Sequence, residues 1–80
     1  MKIGGKNFRK STLGLGVIDV WLRMTGGVNY MFTEDRNAID GPWFGASRCV
    51  SGEKKQTLYS GISRVLAIEA LEQEIRMMNQ

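Results

Sequence analysis

Histidine is absent from this chain of 80 residues, and cysteine and proline occur once each. The first absence removes the commonest general base and metal ligand. A single thiol, Cys49, excludes an internal disulfide and any cysteine cluster for zinc. With no imidazole to activate it, Cys49 reads as a half-buried strand residue rather than a nucleophile. No matched acid, base and nucleophile emerges, so the expectation is a protein that is not an enzyme and takes no cofactor or metal. No apolar run approaches the ~18 residues of a membrane span. Residues 1–10 lack the apolar stretch of a secretion signal. A reduced thiol without an export signal fits the cytoplasm.

What is present is ordinary in bulk and uneven in placement. Hydrophobic residues make up 42% and charged residues 24%, the balance of a small soluble globule, and the length suits one domain. The net charge of +3 is concentrated at the front. Residues 1–11 hold Lys2, Lys6, Arg9 and Lys10 with no acid, residues 12–59 balance, and residues 60–80 are slightly acidic. With Gly4, Gly5, Gly14 and Gly16 nearby, residues 1–14 read as a flexible basic arm ahead of a single domain over 15–80. In the arm, Lys6, Arg9 and Lys10 are the candidate contacts for an anion or nucleic acid.

Residues 17–24 alternate, with Ile18, Val20, Leu22 and Met24 on one side and Asp19, Trp21 and Arg23 on the other. This period of two predicts a strand with its even set toward the core. Gly26-Gly27 predicts a two-residue hairpin turn into a second strand over 28–33. Asp40-Gly41-Pro42 punctuates the chain before a third strand over 43–50. Residues 56–59 fit a short fourth strand or the first turn of a helix, and the strand is the preferred reading because Ser60 and Gly61 follow. From Ser60 or Ser63 to Met78 the residues favour a helix, with an apolar stripe of Ile62, Val65, Ile68, Leu71, Ile75 and Met78. That stripe averages fewer residues per turn than a straight helix, and the helix outruns a six-residue strand. Its last turn is therefore a candidate for homodimer formation. The predicted fold is α+β, an antiparallel sheet of three to four strands with one C-terminal helix on one face.

Glycine-rich and acidic motifs yield little. Gly14-Leu15-Gly16 precedes a strand instead of following one, and no Gly-Lys-Ser/Thr opens a helix, so neither nucleotide loop is formed. Asp35, Asn37 and Asp40 lack the spacing and closing glutamate of a calcium loop. What remains is a surface. The sheet face opposite the helix should collect Trp21, Arg23, Met31, Arg48 and Tyr59, while Trp43 completes a thin core. Trp, Tyr, Met and Arg are the types that anchor interfaces and stack on bases.

Gly27-Val28 and Tyr30, Trp43 with Ala46, Gly52 with Lys54-Lys55, and Ala67 with Ala70 together resemble the ethylene-response-factor type DNA-binding domain of plants and its phage integrase-arm relatives. That resemblance implies a three-stranded sheet packed on one helix and laid in the DNA major groove. Only Arg48 stands in the 43–50 strand, where that family carries several arginines, and an extra strand precedes the matching segment. In size and lack of catalytic residues the chain is similar to small phage accessory proteins such as anti-CRISPR proteins. Two functional expectations follow. The first is a small inhibitor or regulator from a phage or mobile element that docks its sheet face on a protein partner in the host cytosol. The second is a sequence-specific DNA-binding domain using sheet and arm. Neither needs a membrane.

Overall fold

The pairing of residues 17–24 with their neighbours organises the whole molecule. The structure, a computed structural model, describes residues 1–12, 16–24, 27–39 and 41–78, without the side chains of Ser11, Thr12, Arg23 and Met78. Among these residues the order is β1 (Lys2–Ile3), β2 (Lys6–Asn7), β3 (Arg9–Thr12), β4 (Val17–Met24), β5 (Val28–Asp35), β6 (Trp43–Val50), β7 (Gln56–Gly61) and α1 (Arg64–Met78). Strands β3 to β7 form one antiparallel sheet in sequence order, β1 and β2 form a separate hairpin, and α1 packs on the sheet, mainly over β6 and β7. The fold is thus α+β with one C-terminal helix. The sheet has five strands rather than three or four.

The alternation of β4 sets the two faces. Val20 lies opposite Phe32, Leu22 opposite Tyr30 and Met24 opposite Val28, so the even apolar set meets the apolar set of β5 on the helix side. Phe32 continues across to Ala46, and the Phe32 and Phe44 rings sit 6.3 Å apart beneath α1. The β4–β5 connection spans three residues, not two, because Met24 pairs with Val28; Gly27 takes a φ of +80° there, and Thr25 and Gly26 lie outside the described residues. Residues 56–61 are a strand, with a bulge that places Leu58 as an extra residue between Thr57 and Tyr59. The bulge lets two successive side chains, Leu58 and Tyr59, pack against the core.

Helix α1 starts after Ser63, the later of the two serines expected to open it. Ser63 Oγ accepts the Leu66 backbone N–H at 3.2 Å, and the Ser63 carbonyl accepts the first helical bond, from Ala67. At the first turn, Arg64 pairs with Glu34 of β5 at 3.6 Å and sits 5.8 Å from the Phe32 ring centroid. Being partly exposed, this pair contributes no more than about 1 kcal/mol. The buried stripe is Ala67, Leu71 and Ile75, each at most 1% exposed, while Ile62 and Val65 are 80% and 64% exposed. The predicted stripe was therefore wrong in its first two members. Met78, its last member, lies outside the described side chains.

The front of the chain departs most from expectation. Residues 1–12 are part of the folded body and not a flexible arm. Gly4 and Gly5, with φ of +58° and +79°, make the two-residue turn of the β1–β2 hairpin, and Ile3 and Phe8 are 1% and 3% exposed within the core. A pair of positive φ values is what a type I′ turn demands, so the glycines serve a hairpin here instead of mobility. The hairpin lies along the second half of α1, with Gly4 closely approached by Ile75. Strand β3 then completes the sheet edge, pairing Arg9 with Trp21 and Lys10 with Val20. The boundary predicted near residue 14 falls outside the described residues.

Candidate functional site

With α1 on one side, no element among the described residues covers the other sheet face. Its composition follows from the register. One row crosses all five strands as Arg9, Trp21, Met31, Ser47 and Thr57. The next row holds Asp19, Thr33, Gly45 and Ser60, and a third pairs Asp35 with Trp43. Trp21 and Met31 are half-buried and directly opposed. Arg23 pairs with Asn29 through its backbone, and its side chain lies outside the described residues.

Trp43 belongs to this face, contrary to its expected place in the core. Its indole folds back along the strand over Gly45, where an added Cβ would lie 2.6 Å from Cη2. Only glycine leaves the backbone open to that approach. The ring is held there by Nε1–H donating to Ser60 Oγ at 3.1 Å. The tip of the six-membered ring lies against Gly45, and the residue as a whole is half-buried. Around it Thr33, Ser47, Lys55, Thr57 and Ser60 line a shallow cleft. A second, wider recess lies at the other edge, between Asn7, Arg9, Trp21 and Leu22. Replacing Gly45 with alanine is expected to lift the indole, break its bond to Ser60 and cost about 1 kcal/mol. In a Trp21→Phe background the remaining Trp43 emission should shift to the red. Unchanged emission would mean that the ring does not lie on Gly45.

Two expected members of this face stand elsewhere. Arg48 pairs with Tyr30, which places it on the helix side, and its Nε is buried without a hydrogen-bond partner among the described residues. Tyr59 pairs with Ala46, also on the helix side, and its hydroxyl accepts the Ser63 N–H at 3.0 Å. Both were misplaced because a strand read alone gives alternation but not phase. The bulge at Leu58 then shifts β7 by one residue. The three basic candidates of the front segment are also separated. Arg9 shares the row of Trp21, Lys10 shares the helix side with Val20, and Lys6 lies in the hairpin. Lys55 was not foreseen, nor was Trp43 as a surface group; a glycine two residues after the tryptophan was the available signal.

Comparison of the chain with protein-family models, with curated proteins and with solved structures finds no match. The face must therefore be argued from its own chemistry. Its described charged groups are Arg9 and Lys55 against Asp19 and Asp35. Three ion pairs, Arg36–Glu34, Arg64–Glu34 and Arg76–Glu72, occur among the described residues, and none uses Arg9 or Lys55. The two acids of the face are otherwise placed. Asp19 is buried, with its Oδ1 lacking a partner among the described residues, and Asp35 Oδ1 accepts the Asn37 backbone N–H at 2.9 Å. Cys49 is half-buried, opposite Asn29. Among the described residues no group of three or more Cys, Asp or Glu is placed to hold a metal ion, and no helix is long and apolar enough to cross a membrane.

Proposed function

We propose that the chain is a non-catalytic binding protein of the cytosol that captures an anionic macromolecule on the helix-free face of its sheet. The observation that carries this reading is the row Arg9–Trp21–Met31, a guanidinium with no ion pair among the described residues, an indole and a thioether side by side on the face that α1 does not cover. Large, stiff side chains of this kind anchor interfaces because they remove much apolar area from water for little lost rotamer freedom. Folding of residues 1–12 into the body also changes the charge argument. Of its basic residues, Arg9 is fixed along the β3 edge in the row of Trp21, so its charge bears directly on this face.

Groove insertion of the ethylene-response-factor kind is not the mode we favour. Five strands about 4.8 Å apart span roughly 19 Å, against about 12 Å for the major groove of B-DNA. Docking on an acidic protein surface, as for a small phage inhibitor, is a second reading. The opposed Trp21–Met31 pair favours it, since both types recur as interface anchors.

Two adjacent residues give a sharp test. Arg9 and Lys10 carry the same charge next to one another on β3, but only Arg9 shares the row of Trp21. Retention on immobilised heparin, a model polyanion, should fall clearly for Arg9→Glu and only slightly for Lys10→Glu. Equal losses would show that overall charge, and not this face, governs binding.

A further inference from the structure

Each of the two indoles on the helix-free face has beside it a cation that forms no ion pair among the described residues. Trp21 lies opposite Arg9, and the two line one recess. Trp43 shares its cleft with Lys55. The same pairing of an aromatic surface with a positive charge thus occurs at both edges of the face. The two tryptophan positions are two strand spacings apart across the sheet, about 10 Å, and four residues apart along it, about 13 Å. Met31 and Thr33 of β5 lie between them. A polymer that carries a planar ring and an anion in every unit matches this arrangement. An acidic polypeptide supplies the anion without a ring attached to it. A duplex supplies both but hides its ring surfaces in the stack, whereas every base of a single strand offers a π surface.

Resting on the reading that the helix-free face is the working surface, we infer that its ligand is single-stranded nucleic acid. One base stacks on Trp21 and another on Trp43. Arg9 and Lys55 hold the phosphates that flank them. Gly45 and the Ser60 bond fix the second indole in advance, so little freedom is lost there on binding. No base-edge reading is built into the two stacking positions, so sequence preference is weak.

The test uses fluorescence anisotropy of a labelled oligothymidylate of about 16 nucleotides, a duplex of equal length, and polyglutamate. Trp21→Ala and Trp43→Ala should each weaken oligothymidylate binding roughly 5- to 150-fold, with partial recovery in Trp21→Phe. Arg9→Ala and Lys55→Ala change exposed side chains and should leave the circular dichroism spectrum intact. Each should reduce the slope of log affinity against log salt by about 0.7. Three results overturn the inference. If polyglutamate binds in a manner dependent on Trp21 and Arg9 while oligothymidylate does not, the face is correctly assigned and its partner is an acidic protein. If oligothymidylate binds but ignores both tryptophans, the face itself is wrongly assigned. If the duplex binds as tightly as the single strand, stacking is not the basis of recognition.

Discussion

Phe8→Ala should destabilise the protein by about 3–5 kcal/mol. Phe8 is 3% exposed and packs in the same core as Ile3, Tyr30 and Leu71. Its position is fixed by the backbone on either side. The Phe8 N–H donates to the Met1 carbonyl at 2.7 Å, and Arg9 begins the ladder with β4. Removing the ring therefore leaves a cavity that neither hairpin nor sheet edge is free to fill, and the cost combines lost transfer energy with lost packing. Urea unfolding monitored by circular dichroism reads the effect, with Lys2→Ala as a neighbour whose exposed side chain should matter by less than about 0.5 kcal/mol. Similar midpoints for the two variants would return residues 1–8 to the status of a tail. A loss of this size is a large share of the stability of a domain this small.

Leu71→Ala is the second large effect, at about 2–5 kcal/mol. Leu71 is fully buried at the middle of α1, one turn from Ala67 and one from Ile75. These three residues recur every four positions, so they form one narrow line along the helix. The line can be narrow because both surfaces are small where they meet: Ala67 on the helix and Ala46 on β6 are each at most 1% exposed. Close approach then places Leu71 among the sheet residues with no room for water. Val65→Ala offers the contrast. It removes an apolar side chain nearly two turns earlier that is mostly exposed, and should change stability by less than about 0.5 kcal/mol. Equal losses at the two positions would mean that the helix is rotated from the orientation described.

These two variants also mark what was legible in the sequence. Alternation over residues 17–24 is strong because β4 is an inner strand with one apolar and one mixed face, and its phase follows from the even set alone. The helix was legible from composition, whereas the choice of Ser63 over Ser60 as its cap was not. The middle of the stripe, Ile68, Leu71 and Ile75, was legible too, but its first two members were not, because large apolar residues were counted and Ala67 was left out, although a small residue is what a helix lying close on a sheet requires. Gly4-Gly5 was read as flexibility. The same pair is a type I′ turn signal once Ile3 and Phe8 are seen as apolar residues on either side of it. Arg48 and Tyr59 were misplaced for a different reason. Their side depends on pairing with Tyr30 and Ala46, a long-range property that no local pattern contains. Of the candidate face, Trp21 and Met31 were legible, whereas Trp43 and Lys55 became visible only with the register and the fold-back over Gly45.

The central claim is that the helix-free face of the sheet is where the ligand sits. The most direct measurement is a titration of the isotope-labelled protein with oligothymidylate, followed through the two tryptophan indole N–H resonances. Both indole signals, from Trp21 and Trp43, should move together and saturate at the same ligand concentration, while backbone amides of the exposed first turn of α1, at Val65 and Leu66, stay still. Shifts confined to that helix turn, with both indole signals unmoved, would contradict the account.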